Sequence, residues 1–322
     1  MTRPAPVHDV TMTTATRRRP RLPGAPPAWR WVTGAAVVAV GVLVAALAAG
    51  GGGTAGPVPG LSDPGGVVRW GLPVAKVIFN AAGAVTVGLV LLAVMLPAPR
   101  DELGGDALRV LRSAAITALV WAAAAAAVGL LTLSELLGVP LLEAVSGQSL
   151  LTYTQSMGQG QAYASVFVLA LAIVPAAQLT ISRGGAIGVL FLAVGTFVPP
   201  ALAGHAGTGD YHHSAQVSLL VHGVAISLWV GGLIALSWYA AQRGGELARL
   251  VRGYSSVALG CFVLVAASGV LNGWVRISSL TDLVTTAYGW LLLGKVAALA
   301  ALGCFGARHR ARTIPALDAG QR

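Results

Sequence analysis

Four of the six histidines in this chain, His205, His212, His213 and His222, fall within one short stretch, GHAGTGDYHHSAQVSLLVHG, although only 10% of all residues are charged. Neutral imidazole is the usual nitrogen ligand of copper and zinc, and three or four rings gathered by a Gly-containing turn could complete a metal site. His205 ends one apolar run, while His212 and His213 enter the next. His222 is nine residues beyond His213, about 13 Å deeper at helical rise. No single ion reaches all four at that spacing. A relay fits better, with capture by His205 together with His212 or His213 and transfer to His222. The plain alternatives are polar surface for the loop histidines and an interhelical hydrogen bond for His222. An ionisable group inside an apolar run is nonetheless a functional hypothesis by default.

Several other residues carry metal chemistry. Asp210 is a candidate ligand or an acceptor that fixes a ring tautomer, and equally an exposed loop carboxylate. Met157 offers the soft thioether that Cu(I) prefers, against a role in packing. Cys261, in mid-run, is a candidate thiolate stop or a small apolar filler. Residue types alone do not choose copper over zinc.

The elements that position these groups are set by composition. The chain has 322 residues, 56% of them hydrophobic, with a mean hydropathy of +0.76, far more apolar surface than one water-soluble core absorbs. Its apolar runs are about 20 residues long, the length at which an α-helix crosses the hydrocarbon of a bilayer. Eight such runs are expected to be helices, at roughly 31–49, 71–96, 110–133, 161–181, 185–203, 215–240, 253–275 and 288–307. The expected fold is all-α, a polytopic membrane bundle of about eight transmembrane helices. Gly269-x-x-x-Gly273, Gly231 and Gly232 would let backbones approach closely.

Net charge is +10, but the arginines sit in tails and short loops, so they report topology and not nucleic acid. Alternate connections divide the basic residues 17 to 2, with Arg69 and Arg276 alone on the poorer side. Cytoplasmic loops are enriched in Lys and Arg. Both termini are therefore expected in the cytoplasm and the histidine loop outside, in a multi-pass protein of the plasma membrane. Residues 1–28 read as a disordered basic tail, 29–310 as the bundle and 311–322 as a second cytoplasmic tail. The first run also fits a signal peptide, whose cleavage would leave the later loops on the same sides. Two cysteines, Cys261 and Cys304, both within apolar runs, suggest no disulfide framework.

From His222 the sequence runs His-x6-Trp-x-Gly-Gly, as His222, Trp229, Gly231 and Gly232, and continues with GYSSVALGCFVLVAASGVLNGWVRI, TTAYGWLLLGKVAALAALG and ARHR. This succession resembles the copper-resistance D (CopD) family of bacterial inner-membrane proteins, in its actinobacterial style. The resemblance is close over 222–310 and only architectural before that. Tyr254, Ser268 and His309 stand where Phe, Thr and Asn are common, and none removes a proposed ligand. The resemblance implies copper uptake or handling, with copper as the bound or transported ion and outer histidines as candidate ligands. Some relatives carry a further domain resembling a cytochrome c oxidase assembly factor, so assembly proteins of that oxidase are candidate partners.

Within YGWLLLGK, Lys295 stands about 10 Å below the outer end of its helix. Snorkelling is its ordinary explanation, and the alternatives are pairing with a carboxylate such as Asp282 or repelling metal ions to gate a path. Lys76 invites the same readings, and Asn80 and Asn272 are expected to bond between helices. No Gly-rich phosphate loop or phosphorylation sequence is visible, and no nucleophile and base stand paired, so neither ATP-driven nor enzymatic chemistry is expected. The leading expectation is copper import at the outer face. Two alternatives stand beside it: a b-type cytochrome holding one haem between His222 and His205, and a scaffold that delivers copper for oxidase assembly without moving it across the membrane.

Overall fold

The structure, a computed structural model, describes residues 63–203, 212–242, 246–274, 279 and 281–319. The first expected helix, 31–49, and the basic tail lie outside the described residues. Lipid supplies no hydrogen-bond partner for a backbone, so a chain this apolar must satisfy its N–H and C=O groups within each segment, and helices do so. The elements are α1 (Gly66–Met95), α2 (Gly105–Leu137), the short α3 (Leu141–Ala144) and α4 (Gly147–Ser156), α5 (Gly158–Leu179), α6 (Arg183–Gly195) and α7 (Val198–Ala203), followed by α8 (His212–Ile226), α9 (Gly232–Gln242), α10 (Leu247–Trp274), the single turn α11 (Asp282–Thr285) and α12 (Ala287–Ala319). Among the described residues seven helical stretches are long and apolar enough to cross a membrane. They coincide with the last seven expected runs, and the fold is an all-α polytopic bundle.

The core lies between α1, α2 and α5. α2 is rich in alanine, including the run Ala122–Ala127, so it forms helix readily and keeps a thin face that neighbours can approach. Trp121, buried before that run, packs against Phe79 of α1 at 6.2 Å and Phe197 at 5.4 Å, and Phe79 meets Tyr163 of α5 edge-on at 5.9 Å. Thr86 of α1 and Thr117 of α2 bond to each other at 2.8 Å. At the other end of the membrane Tyr239 of α9 donates to Asp106 in the first turn of α2 at 3.1 Å.

Two interruptions shape the ends of the bundle. Asp63 accepts from the Gly65 N–H at 2.9 Å and from the Arg69 guanidinium. Those two contacts, the backbone bond first, hold its carboxyl below the usual carboxylate range. The fourth span breaks between α6 and α7 because Pro199 and Pro200 have no N–H to offer Gly195 and Thr196. Thr196 turns both its N–H and its hydroxyl onto the Leu192 carbonyl, at 3.1 and 2.9 Å. The expected outer connection 134–160 is helical in part. In it Tyr153 of α4 packs on Leu133 and Ala144, and burial pushes its hydroxyl up to about 12.

The tightest crossing brings α1 onto the segment between α8 and α9. A Cβ on Gly231 would stand 1.8 Å from the Ala84 carbonyl oxygen, and one on Gly88 would stand 2.0 Å from the Gly231 carbonyl carbon. Both distances put a methyl inside backbone that cannot move aside. Gly231→Ala is therefore expected to lower the thermal midpoint of the purified protein by the equivalent of about 2–4 kcal/mol. Gly260→Ala, whose added methyl would meet nothing within 4 Å, serves as the unaffected control.

Candidate functional site

The sixth expected run is one membrane span but not one regular helix. α8 ends at Ile226, residues Ser227–Gly231 form a π-helical turn, and α9 resumes at Gly232. A π turn inserts one residue and misaligns the hydrogen-bond ladder locally, and such turns are frequent at functional sites. Here the Tyr254 hydroxyl of α10 donates to the Trp229 carbonyl, and a Cβ on Gly232 would lie 2.5 Å from the Tyr254 ring. Gly231 thus admits α1, and Gly232 admits the tyrosine. Trp229 itself packs edge-on against Phe262 at 5.7 Å.

On the N-terminal side of the π turn, α8 lies along α10, and their shared face carries the polar groups. Ser218 and His222 are one turn apart on α8, and Ser268 and Asn272 are one turn apart on α10. His222 Nδ1 is 2.9 Å from Ser268 Oγ. The Ser268 hydroxyl is 2.6 Å from the Leu264 carbonyl. Ser218 donates to the Ser268 carbonyl at 3.1 Å, and Asn272 Nδ2 donates to that carbonyl at 2.9 Å and to Ser218 Oγ at 2.8 Å. Ser218 and Ser268 are buried, while His222 is half-buried. Asn272 bonds between helices as the sequence leads one to expect. Ser268 and Ser218 were missed as site residues, although polar pairs spaced by four on two apolar helices are the signal that finds them.

Below this network the interface turns apolar. Ala225, Cys261 and Val265 form a buried cluster, with Trp229 and Leu299 of α12 packed against it. Cys261 is a free thiol on the α10 face that also carries Val265, Ser268 and Asn272. Lys295 precedes Leu299 by one turn of α12, and Leu299 packs against the cluster of Ala225, Cys261 and Val265. Lys295 is exposed on the described chain, as is Lys76 on α1.

The other candidate ligands fall toward the N-terminal end of α8 and beyond it. His212 and His213 open α8. Since α8 is helical from there to Ile226, the backbones of His213 and His222 are about 13 Å apart along the axis. His205 and Asp210 lie outside the described residues. The connection that carries them is joined at its base, because Gln216 of α8 donates to the Leu202 carbonyl of α7 at 2.9 Å. Met157 is exposed at the junction of α4 and α5. The next residue, Gly158, approaches the same base, where an added Cβ would be 3.9 Å from the Ala203 Cβ. Among the described residues, no three of His, Cys, Asp and Glu converge closely enough to hold a metal ion.

The apolar spans and their connections define a multi-pass protein of the plasma membrane. Residues 62–213 match the family description "Copper resistance protein D-like, N-terminal domain", and residues 248–322 match "Copper resistance protein D". The chain is thus a membrane protein of the copper-resistance D family. It is similar to "Copper transport protein CutJ" of Bacillus subtilis (strain 168), with 30% identity over 154 residues, 45% of this chain and 28% of that protein. The matched region therefore spans little more than a quarter of that relative. No solved structure matches the chain. These descriptions speak of copper resistance and transport, not of a catalysed reaction.

The π turn makes a claim that can be measured. Tyr254→Phe removes the donor to the Trp229 carbonyl and leaves that oxygen unpaired in apolar surroundings, a change of about 1–3 kcal/mol. The expected result is a lower thermal midpoint and faster backbone hydrogen exchange confined to 227–232. Exchange that stays as slow as in the wild type would show that the tyrosine does not hold the turn.

Proposed function

We propose that the chain carries copper ions inward across the plasma membrane, taking them at the outer face. In this reading both termini are cytoplasmic, residues 29–310 form the bundle, and the segments 1–28 and 311–322 are cytoplasmic tails. His205, with His212 or His213, captures the ion at the mouth, with Asp210 and Met157 as accessory donors. His222 receives it about 13 Å deeper, and Cys261, lower on the same interface, is a further stop. One observation carries the proposal. An imidazole inside a membrane span is bonded at Nδ1 between two helices, in a family described by copper resistance.

The direction follows from electrostatics. The bias of basic residues toward one side of the membrane marks that side as cytoplasmic. A membrane potential negative inside favours inward movement of a cation by about 2.3 kcal/mol per charge per 100 mV, so import needs no added engine. Lys295 opposes a cation on the inward path and so sets how tightly an ion is held there and how readily it leaves.

Copper uptake into proteoliposomes, driven by an inside-negative potassium diffusion potential, tests the proposal. Wild-type protein is expected to accumulate copper at least about tenfold faster than His222→Ala, on the scale of losing one ligand of a metal site. Lys295→Gln is expected to bind copper more tightly. Equal uptake by wild type and His222→Ala would overturn the transport reading. If both still bound copper, delivery to a partner such as an oxidase assembly protein would take its place.

A further inference from the structure

The interface of α8 and α10 contains more than a metal-binding ring, because its hydrogen bonds have a fixed direction. A carbonyl oxygen can only accept. The Ser268 hydroxyl has one hydrogen and stands 2.6 Å from the Leu264 carbonyl and 3.1 Å from that of Val265, so the hydrogen is committed to the helix's own backbone. What Ser268 Oγ shows to His222, 2.9 Å away, is a lone pair. His222 must then donate from Nδ1. Neutral imidazole carries one N–H and one bare nitrogen, and the bond made by one nitrogen decides the state of the other. The bare nitrogen is Nε2.

From this direction of bonding we infer that Ser268 is a positioning residue. It holds His222 as the Nδ1–H tautomer and turns the Nε2 lone pair toward an incoming copper ion. The inference rests on the reading of His222 as a copper ligand and adds which ring atom binds and what orients it. Ser268 has no other assignment that demands its hydroxyl. Ser218 crosses the interface to the backbone carbonyl of residue 268, and Asn272 crosses it to Ser218 Oγ, so the packing of α8 on α10 does not depend on that side chain. The hydroxyl serves the ring. A partner of this kind fixes ring orientation in metal sites, and its removal typically weakens binding by about 10–100-fold.

That division of labour makes Ser268→Ala a selective variant, since it deletes the ring's side-chain partner and leaves the bonds to the carbonyl of residue 268 in place. Ser268→Thr returns a hydroxyl at the same position. The test uses the full chain in nanodiscs, labelled with 15N-histidine, with the His222 signals identified by their loss in His222→Gln. In metal-free wild-type protein His222 is expected to show a protonated Nδ1 and a bare Nε2. Ser268→Ala is expected to average the two nitrogens between tautomers, and Ser268→Thr to restore the wild-type pattern. Titration with Ag(I), as a redox-inert stand-in for Cu(I), should shift Nε2 selectively, with affinity reduced about 10–100-fold in Ser268→Ala and recovered in Ser268→Thr.

A protonated Nε2 in metal-free wild type, or the same tautomer in Ser268→Ala, would overturn the inference. So would unchanged Ag(I) affinity in that variant. If His222 holds the stated tautomer and responds to Ser268 while its signals ignore Ag(I), the copper reading of this residue fails and the tautomer assignment stands.

Discussion

A polar group inside hydrocarbon has no water to fall back on, and this constraint organises the protein from its loops to its site. Each hydroxyl, amide or ring in the spans must meet a partner within the chain or forfeit several kcal/mol. Thr86 satisfies itself on Thr117 across α1 and α2, and Thr196 closes a helix end that two prolines have broken. The π turn leaves a carbonyl that Tyr254 meets from the neighbouring helix. His222 is the most demanding of these groups, and its environment is the most fully bonded, with Ser218, Ser268 and Asn272 arranged so that every donor faces an acceptor.

The same constraint links packing to the site. α1 lies so close to Gly231 that no side chain fits between the backbones. This contact pins the π turn from one side, while Tyr254 pins it from the other. His222 stands above a segment held at two points, and α10 supplies both Tyr254 below the ring and Ser268 beside it. The ring's position is therefore set by three helices, of which α8 and α10 supply the polar groups beside it.

The spans were legible because runs of about 20 apolar residues leave few alternatives, and seven of the eight coincide with helices while the first lies outside the described residues. His222 was legible because an imidazole stands out against leucine and valine. Ser268 was harder to read, since a serine in such a run commonly satisfies itself on its own helix, and only its four-residue spacing from Asn272 marks it. The π turn was hidden because Trp-x-Gly-Gly is compatible with an ordinary helix until the opposing backbone is seen. The Gly269 and Gly273 pair shows the limit of a motif. A Cβ on Gly273 would lie 3.2 Å from the Leu292 side chain of α12, whereas one on Gly269 would meet nothing within 4 Å.

The bond from Gln216 to the Leu202 carbonyl matters for the short helix α7. Pro199 and Pro200 sever its hydrogen-bond ladder from α6, so its C-terminal end takes its bearing from the neighbouring span and not from the helix that precedes it.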